Sequence, residues 1–390
     1  MKILVIGLGQ CGGRIADQFS RQNHRAKSKR GLEIITGAFA VSTDTSDLIG
    51  LTSIKADYKH RILIGAKQLQ GFGVDGNNEL GAQVMQEHAD AVLEEIREVR
   101  QFFETDAILI IAGAAGGIGS GALPVIVQRI KQRFRDKIVY AMVILPYEYE
   151  EQEEARTVYN TAVCLKSVAS VADAVILVDN ESYKADDIMK GDFSEINQAI
   201  VEPFYNLLCA GVEKRKEHIG AKLLDAGDII QTLGGWTVVG SGRVDLPIGL
   251  ASILPGGFGK ASPETSKGIR AMDEAIGEVS RLCKPEDAAS ALYLVSAPAQ
   301  EINLDLIKEL GDYLKQAAPS AIIRSGDYPV GRGIMEVTVI LSRLSDVARV
   351  RDFYTRSVAL AGDENEEPVP MELDNALPGD GMESAPDVPQ

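Results

Sequence analysis

From Ala107 to Gln128 the chain runs for 22 residues without a charged side chain, long enough to cross a bilayer as a helix. The same stretch carries five glycines and Pro124. Each glycine costs a helix interior about 1 kcal/mol and a proline about 3 kcal/mol, which excludes a membrane-spanning helix. A strand over Ala107 to Ala112, a loop from Gly113 to Gly121 and a helix from Leu123 to Phe134 fit the same residues. Pro124 then falls in the first helical turn, where its missing N–H is harmless. The loop, GAAGGIGSG, lets backbone N–H groups approach an anion at a helix N-terminus.

The rest of the N-terminal half repeats this grammar. Ile3 to Ile6 is a short apolar run, followed by Gly7-Leu8-Gly9-Gln10-Cys11-Gly12-Gly13 and a helix from Gln10 to Phe19. Strands are expected over Ile34 to Val41, Arg61 to Ile64, Ile138 to Leu145 and Ala174 to Val178. Helices are expected from Glu79 to about Phe103 and from Tyr159 to Ala172. Strands alternating with helices predict a parallel sheet covered on both faces. From Glu195 a helical pattern runs towards Leu224, interrupted by Pro203 and Gly211, with Pro203 predicting a kink. Beyond Trp236 a second α/β region is expected: strands Thr237 to Gly240, Ala291 to Ala297 and Met335 to Leu341. Its helices lie near Glu264 to Leu282 and Asp305 to Ala317, and Pro255 to Ser262 reads as a loop.

The first glycine loop has G-x-G-x-x-G spacing, with Glu33 about 20 residues on, as in a dinucleotide fold. A tight turn with no ligand is the plain alternative. Two such loops on one sheet suit a polyphosphate held by several helix N-termini, whereas a nicotinamide cofactor needs one. A third loop, Gly71 to Gly81 (GFGVDGNNELG), precedes the long helix. Its amides and the Asn77-Asn78 pair suit a terminal phosphate, and Asp75 is placed to hold Mg²⁺ through water. No G-x-x-x-x-G-K-[ST] is present, which excludes a Walker-type NTPase. Arg14 is one available cation.

Several ordered motifs resemble the tubulin/FtsZ superfamily over about residues 1–355. GQCGG at Gly9–Gly13 looks like the first nucleotide loop of tubulins, and AGGIGSG at Ala115–Gly121 resembles the family signature. GFGVDGNNELG is similar to the third loop of FtsZ. SALYLVSAPAQEINLDLIKEL and SGDYPVGRG look most like the archaeal tubulin-like CetZ group. The resemblance implies GTP or GDP bound with Mg²⁺ by Gly9, Gln10, Cys11, Gly12, Gly13, Arg14, Asp44, Gly76, Asn77, Ala115, Gly116, Gly117, Ile118, Gly119 and Ser120. It adds Glu150 as a sugar contact, Asn180 in VDNE, and Asn197 for the guanine. Ile118 stands where the signature has Thr, which removes one hydroxyl from the phosphate loop. The arginine that follows the ribose loop in FtsZ has no aligned counterpart: Glu154 takes its place and Arg156 lies two residues off.

LDAGDI from Leu224 to Ile229 resembles the loop with which one subunit completes the GTPase site of the next, which makes Asp225 and Asp228 the catalytic candidates. Two carboxylates three residues apart suit polarising a water. Leu223 replaces an Asn of FtsZ. The plain alternative is a helix cap built by Asp225 and Asp228. A mostly helical stretch between Asn197 and Asp225 would separate them by up to about 40 Å, so the aspartates are expected to act on a neighbouring subunit's nucleotide.

The whole reads as a GTP-binding α/β domain at 1–194, a central helix at 195–224, a second α/β domain at 225–361 and a disordered acidic tail at 362–390. The expected function is a cytoskeletal GTPase that polymerises head to tail, for cell shape more than for division. A GTP-binding scaffold that does not hydrolyse and a Rossmann oxidoreductase are the alternatives. A net charge of −16 argues against a nucleic-acid partner. Nine carboxylates in the last 29 residues supply −9 of it, so the tail is expected to recruit a basic partner or brush the filament. The basic cluster Arg21, Arg25, Lys27, Lys29 and Arg30 reads as a solvated loop. Four scattered cysteines without a C-x-x-C pair fit a reducing cytosol, and the opening MKILVIG has no signal-peptide pattern.

Overall fold

A computed structural model of the chain describes residues 1–183, 193–215, 218–246, 263–331 and 333–363. The loop expected at Pro255 to Ser262 and nearly all of the acidic tail lie outside the described residues.

The first half is wound as its alternating pattern requires. Strand β1 (Ile3–Leu8) passes into helix α1 (Gly9–Arg30), and β2 (Ile35–Ser42) into the short α2 (Thr45–Ile49). Then come β3 (Arg61–Leu63), the one-turn α3 (Ala66–Leu69), α4 (Asn78–Arg97), β4 (Ala107–Gly113) and α5 (Gly117–Arg133). They are followed by β5 (Ile138–Leu145), α6 (Glu148–Glu153), α7 (Ala155–Ala169) and β6 (Ala174–Asp179). These six strands are all parallel, in the order β3-β2-β1-β4-β5-β6.

Alternation along each strand divides the core. Leu4, Ile6 and Leu8 pack with α4, α5 and α7 on one face, while Ile3 and Val5 face α1 and α2 on the other. Helix α8 (Phe193–Ala210) joins the second face, through Ile196, Val201 and Phe204 among others.

After α9 (Ala226–Thr232) and β7 (Gly235–Asp245) come α10 (Pro263–Val279), β8 (Ala288–Ala297), α11 (Leu304–Ala317), β9 (Ile322–Pro329), β10 (Ile334–Leu344) and α12 (Ala348–Asp363). The second region does not form a separate sheet. β7 pairs in parallel with β6 from Ala174↔Gly235 to Leu177↔Val238, so ten strands make one sheet. β10 runs antiparallel between β7 and β8.

Four expectations about helices change. Helix α1 runs on to Arg30, so the basic cluster from Arg21 to Arg30 lies in a helix and not in a loop. The helix after the uncharged strand begins at Gly117, six residues before Leu123, and Pro124 lies inside it. The central helix ends at Ala210, well short of Leu224. Gly211 and Gly220 explain that ending: a Cβ would stand 2.0 Å from the Leu224 carbonyl oxygen at one and 2.1 Å from that of Asp327 at the other. Gly211 thus lies against Leu224, and residues 220–222 against β9. The Glu79 helix stops at Arg97, with a separate 3-10 turn over Phe102–Glu104.

Candidate nucleotide site

In a parallel sheet every loop that follows a strand emerges at one edge. That edge gathers Gly9 to Arg14 after β1, Asp44 after β2, Gly76 and Asn77 before α4, Ala115 to Ser120 after β4, Glu150 after β5 and Asn180 after β6. Asn197, half-buried in the first turns of α8, joins them: the neighbouring residues Ala199 and Ile200 line a small cavity with Val178 and Asp179 from the end of β6.

The glycine loops are packed on one another. Gly9 has φ +64°, and a side chain there would meet Ile118 Cγ2 at 2.8 Å. A Cβ on Gly117 would stand 2.7 Å from the Asn77 backbone nitrogen, and one on Gly121 1.9 Å from the Asn78 carbonyl oxygen. Several glycines of the signature therefore serve loop-to-loop contact. Gly116 differs: nothing lies within 4 Å of where its Cβ would be. It caps α5 in an extended conformation, and its open side leaves room for an anion against the helix N-terminus.

Individual side chains are tied as follows. Asn77 caps α4 by accepting from the Leu80 N–H at 2.9 Å. Asp44 caps α2, accepting from the backbone N–H and the hydroxyl of Ser46, both at 2.7 Å, and these bonds lower its pKa. Ser120 turns its hydroxyl back to the Gly116 carbonyl. Ile118, the residue in place of Thr, packs against the apolar core and over Gly9. Of that residue the backbone alone is left to meet a phosphate. Glu150 accepts from the Tyr147 N–H at 2.8 Å, closing a capping box at the start of α6. Burial, with help from Glu150 and against Arg14, pushes the Cys11 thiol up to about 12. It stays protonated at neutral pH and is no nucleophile.

Motif reading missed two residues here, and a third, Arg156, it had set aside. Asn160 on α7 donates from Nδ2 to the Gly76 carbonyl at 2.9 Å and to the Ala115 carbonyl at 2.8 Å, stapling the third loop to the signature loop. Asp47, one turn beyond Asp44, accepts from Ser42 Oγ at 2.7 Å and also faces Gln10 and Arg14. Arg156 passes over the third loop: its Cδ is 3.8 Å from the Gly76 Cβ position, and it lies 4.0 Å from Glu79. In sequence it lies two residues from the place of the family's arginine. Replacing Asn160 by Ala strips a buried donor from two carbonyls, for which we expect a loss of about 1–3 kcal/mol in stability. Denaturant unfolding checks this, and an unchanged midpoint would dismiss the staple.

Among the described residues, three buried side-chain oxygens at this edge lack a hydrogen-bond partner: Thr43 Oγ1, Asn78 Oδ1 and Asn160 Oδ1. Buried unpaired oxygens call for a ligand or its water, which suits a hydrated nucleotide complex. No group of three or more His, Cys, Asp or Glu is arranged to hold a metal among the described residues. Asp75, with φ +47°, stands alone in the third loop. A Mg²⁺ held mainly by phosphates and water needs no more protein than that.

Asp225 and Asp228 lie at the other edge. Asp225 exerts its charge on the Met1 ammonium, which precedes β1, and Met1 donates to the Leu208 carbonyl near the end of α8. The six residues of β1 at about 3.3 Å each, or the 18 of α8 at about 1.5 Å each, give roughly 20–27 Å between the edges. The estimate of up to 40 Å shrinks, but the separation stands. The capping alternative is realised in geometry. Asp225 Oδ1 accepts from the Asp228 N–H at 2.8 Å, and Asp228 Oδ2 faces the Asp225 N–H at 3.4 Å. Asp228 also pairs with Arg324 at 3.3 Å, while Asp225 is exposed.

Residues 2–186 match the tubulin/FtsZ family GTPase domain, and residues 186–359 match the C-terminal domain of the tubulin-like CetZ proteins. The chain is 30% identical over 385 residues to the tubulin-like protein CetZ1 of Haloferax volcanii, covering 95% of this chain and 94% of that protein. The chain belongs to the tubulin/FtsZ family. Its CetZ character, expected from SALYLVSAPAQEINLDLIKEL, is borne out by both matches. Among solved tubulin-like structures, a GDP-bound monomer of H. volcanii CetZ1 superposes with a TM-score of 0.76 at 27% identity, over 93% of this chain and 100% of that one. A GTPγS-bound protofilament of CetZ2 from the same organism gives 0.76 at 28% identity, with the same coverage.

Proposed function

We propose that this chain is a CetZ-type cytoskeletal GTPase that binds GTP at the glycine-loop edge and stacks head to tail, with cell-shape control in the cytoplasm as its role. One observation carries the reading: the glycine loops lie at one edge of the sheet and an aspartate pair at the other. Neither edge holds a complete hydrolytic site. Stacking subunits along that direction brings Asp225 and Asp228 of one copy over the cradle of the next.

The chain's own groups then divide the work. N–H groups at Gly9–Gly13 and Gly116–Ser120 hold the phosphates, with Arg14 as a nearby cation. Glu150, Asn180 and Asn197 fix the nucleoside. Asp75 would hold Mg²⁺ through water, and the ion would supply charge to the phosphates. The outer oxygen of Asp225 accepts a proton from the attacking water while its inner oxygen keeps the cap. A bound GTP supplies the phosphoanhydride to be cleaved. Sedimentation and phosphate release with GTP test the scheme, and pelleting indifferent to GTP would sink nucleotide-controlled assembly.

A scaffold that binds GTP without turnover remains the second reading. It is favoured by the inward-packed Ile118 and by the Arg324 pairing that occupies Asp228. Loss of pelleting with undetectable phosphate release at any concentration would replace the first reading by neither, whereas GTP-dependent pelleting without release would select the scaffold. For residues 364–390 we propose recruitment of a basic partner. Removing them is expected to leave GTP affinity within about twofold, since every candidate nucleotide contact precedes them in the sequence. Titration of the truncated chain with GTP checks it, and lost binding would refute the division.

A further inference from the structure

The C-terminal helix holds the two loops on the sugar side of the cradle through one guanidinium. Arg349 on α12 grips Glu151 of α6 with both nitrogens of its fork, Nη1 at 3.5 Å from Oε2 and Nη2 on Oε1. Its Nε lies 3.6 Å from Asp179 Oδ2, at the last residue of β6. Arg356, two turns on, pairs with the same Glu151 and with Asp352 at 3.2 Å. The buried Phe353 ring backs both, 4.8 Å from the Arg349 guanidinium carbon and 5.8 Å from that of Arg356. Glu151 is 2% exposed, Asp179 10% and Arg349 15%.

The neighbours of these carboxylates give the arrangement its meaning. Glu151 follows Glu150, and Asp179 precedes Asn180. The loops are also tied directly: the Glu148 N–H donates to Glu181 at 3.2 Å, and the Glu181 N–H to Asp179 at 3.1 Å. A buried ion cluster gives little stability over apolar packing of the same shape. A planar fork gripping one carboxylate and touching a second adds a fixed spacing that apolar packing lacks.

We propose that Arg349 is a positioning residue for the sugar end of the nucleotide site: it sets the distance between the Glu150 loop and the Asn180 loop from the C-terminal helix. This rests on reading Glu150 and Asn180 as nucleotide contacts. The same bridge makes α12, which leads directly into the acidic tail, a lever on nucleotide affinity.

The test measures binding of GTP, 2′-deoxyGTP and 3′-deoxyGTP to the full chain, with thermal midpoints alongside. Arg349→Met is expected to weaken GTP about tenfold while barely changing one or both deoxynucleotides, so that sugar discrimination falls by the same factor. Arg349→Lys, which keeps the charge and loses the fork, should fall between. The double variant Arg349→Met with Glu151→Met removes the buried pair together. It is expected to regain the thermal midpoint and still lack discrimination. Recovery of both in the double variant would make the cluster a packing device and overturn the proposal, as would unchanged discrimination in Arg349→Met when Glu150→Gln abolishes it. If Glu150→Gln and Asn180→Ala both leave discrimination intact, the nucleotide contacts themselves are wrong, and the proposal falls with them.

Discussion

Asp225→Asn is expected to cut GTP turnover by roughly 10²-fold or more while leaving GTP affinity, filament formation and thermal midpoint near wild type. Asn is chosen because it caps a helix as well as Asp. The inner oxygen that accepts from the Asp228 N–H is kept, and only the charge is lost. Asp225→Ala would confound the two, since removing the cap costs about 1 kcal/mol by itself. The edge-to-edge separation adds a sharper form of the experiment. Subunits carrying Asp225→Asn retain an intact cradle, and subunits with a bulky residue at Gly116 retain an intact aspartate pair. Neither should turn over GTP alone, and mixing them should restore turnover. Full activity in the Asn variant would leave Asp225 as a cap and nothing else.

The second large effect separates glycines that look alike in the sequence. Gly121→Ala forces a Cβ to 1.9 Å from the Asn78 carbonyl oxygen, where α4 and α5 touch backbone to backbone. Neither helix can withdraw without opening the core beneath, so we expect a loss of about 3 kcal/mol or more. Gly116→Ala meets nothing within 4 Å and has an ordinary extended backbone. Its stability should change by less than about 1 kcal/mol, the scale of a cap substitution. GTP affinity should nonetheless fall by about tenfold, because the new methyl group stands in the space assigned to phosphate. Chemical denaturation and nucleotide titration of both variants give four numbers. If Gly116→Ala binds GTP like the parent, the phosphates do not sit at this loop.

What could be read from sequence follows from how local each cause is. β1, β4 and β5 are uninterrupted apolar runs ended by Gly or Pro, and their loops carry motifs within a few residues. The start of α5 was not legible, because four glycines argue against helix by propensity. Close contact with α4 and the third loop overrides that cost at Gly117 and Gly121. The end of α8 was partly legible: Gly211 reads as an interruption, but its contact with Leu224, thirteen residues away in sequence, has no local signal. No strand was expected at β9, which holds Gly326, Asp327 and Pro329 in eight residues. Its buried Asp327 is satisfied by the N–H groups of Ala221 and Lys222, which no local pattern announces. Asn160, Asp47 and Arg349 belong to no motif, because each works through contacts 5 to 198 residues distant in sequence.

The pairing of β6 with β7 has a mechanical consequence. A hinge between the two halves of the subunit would have to tear the ladder from Ala174↔Gly235 to Leu177↔Val238. A continuous ten-stranded sheet therefore behaves as a beam under load, stiff along the direction in which copies stack. Curvature of a filament built from such beams is expected to collect at the joints between them. In the proposed assembly Asp225 meets the neighbour's nucleotide at those joints, so the chemical event and the bend would share one location.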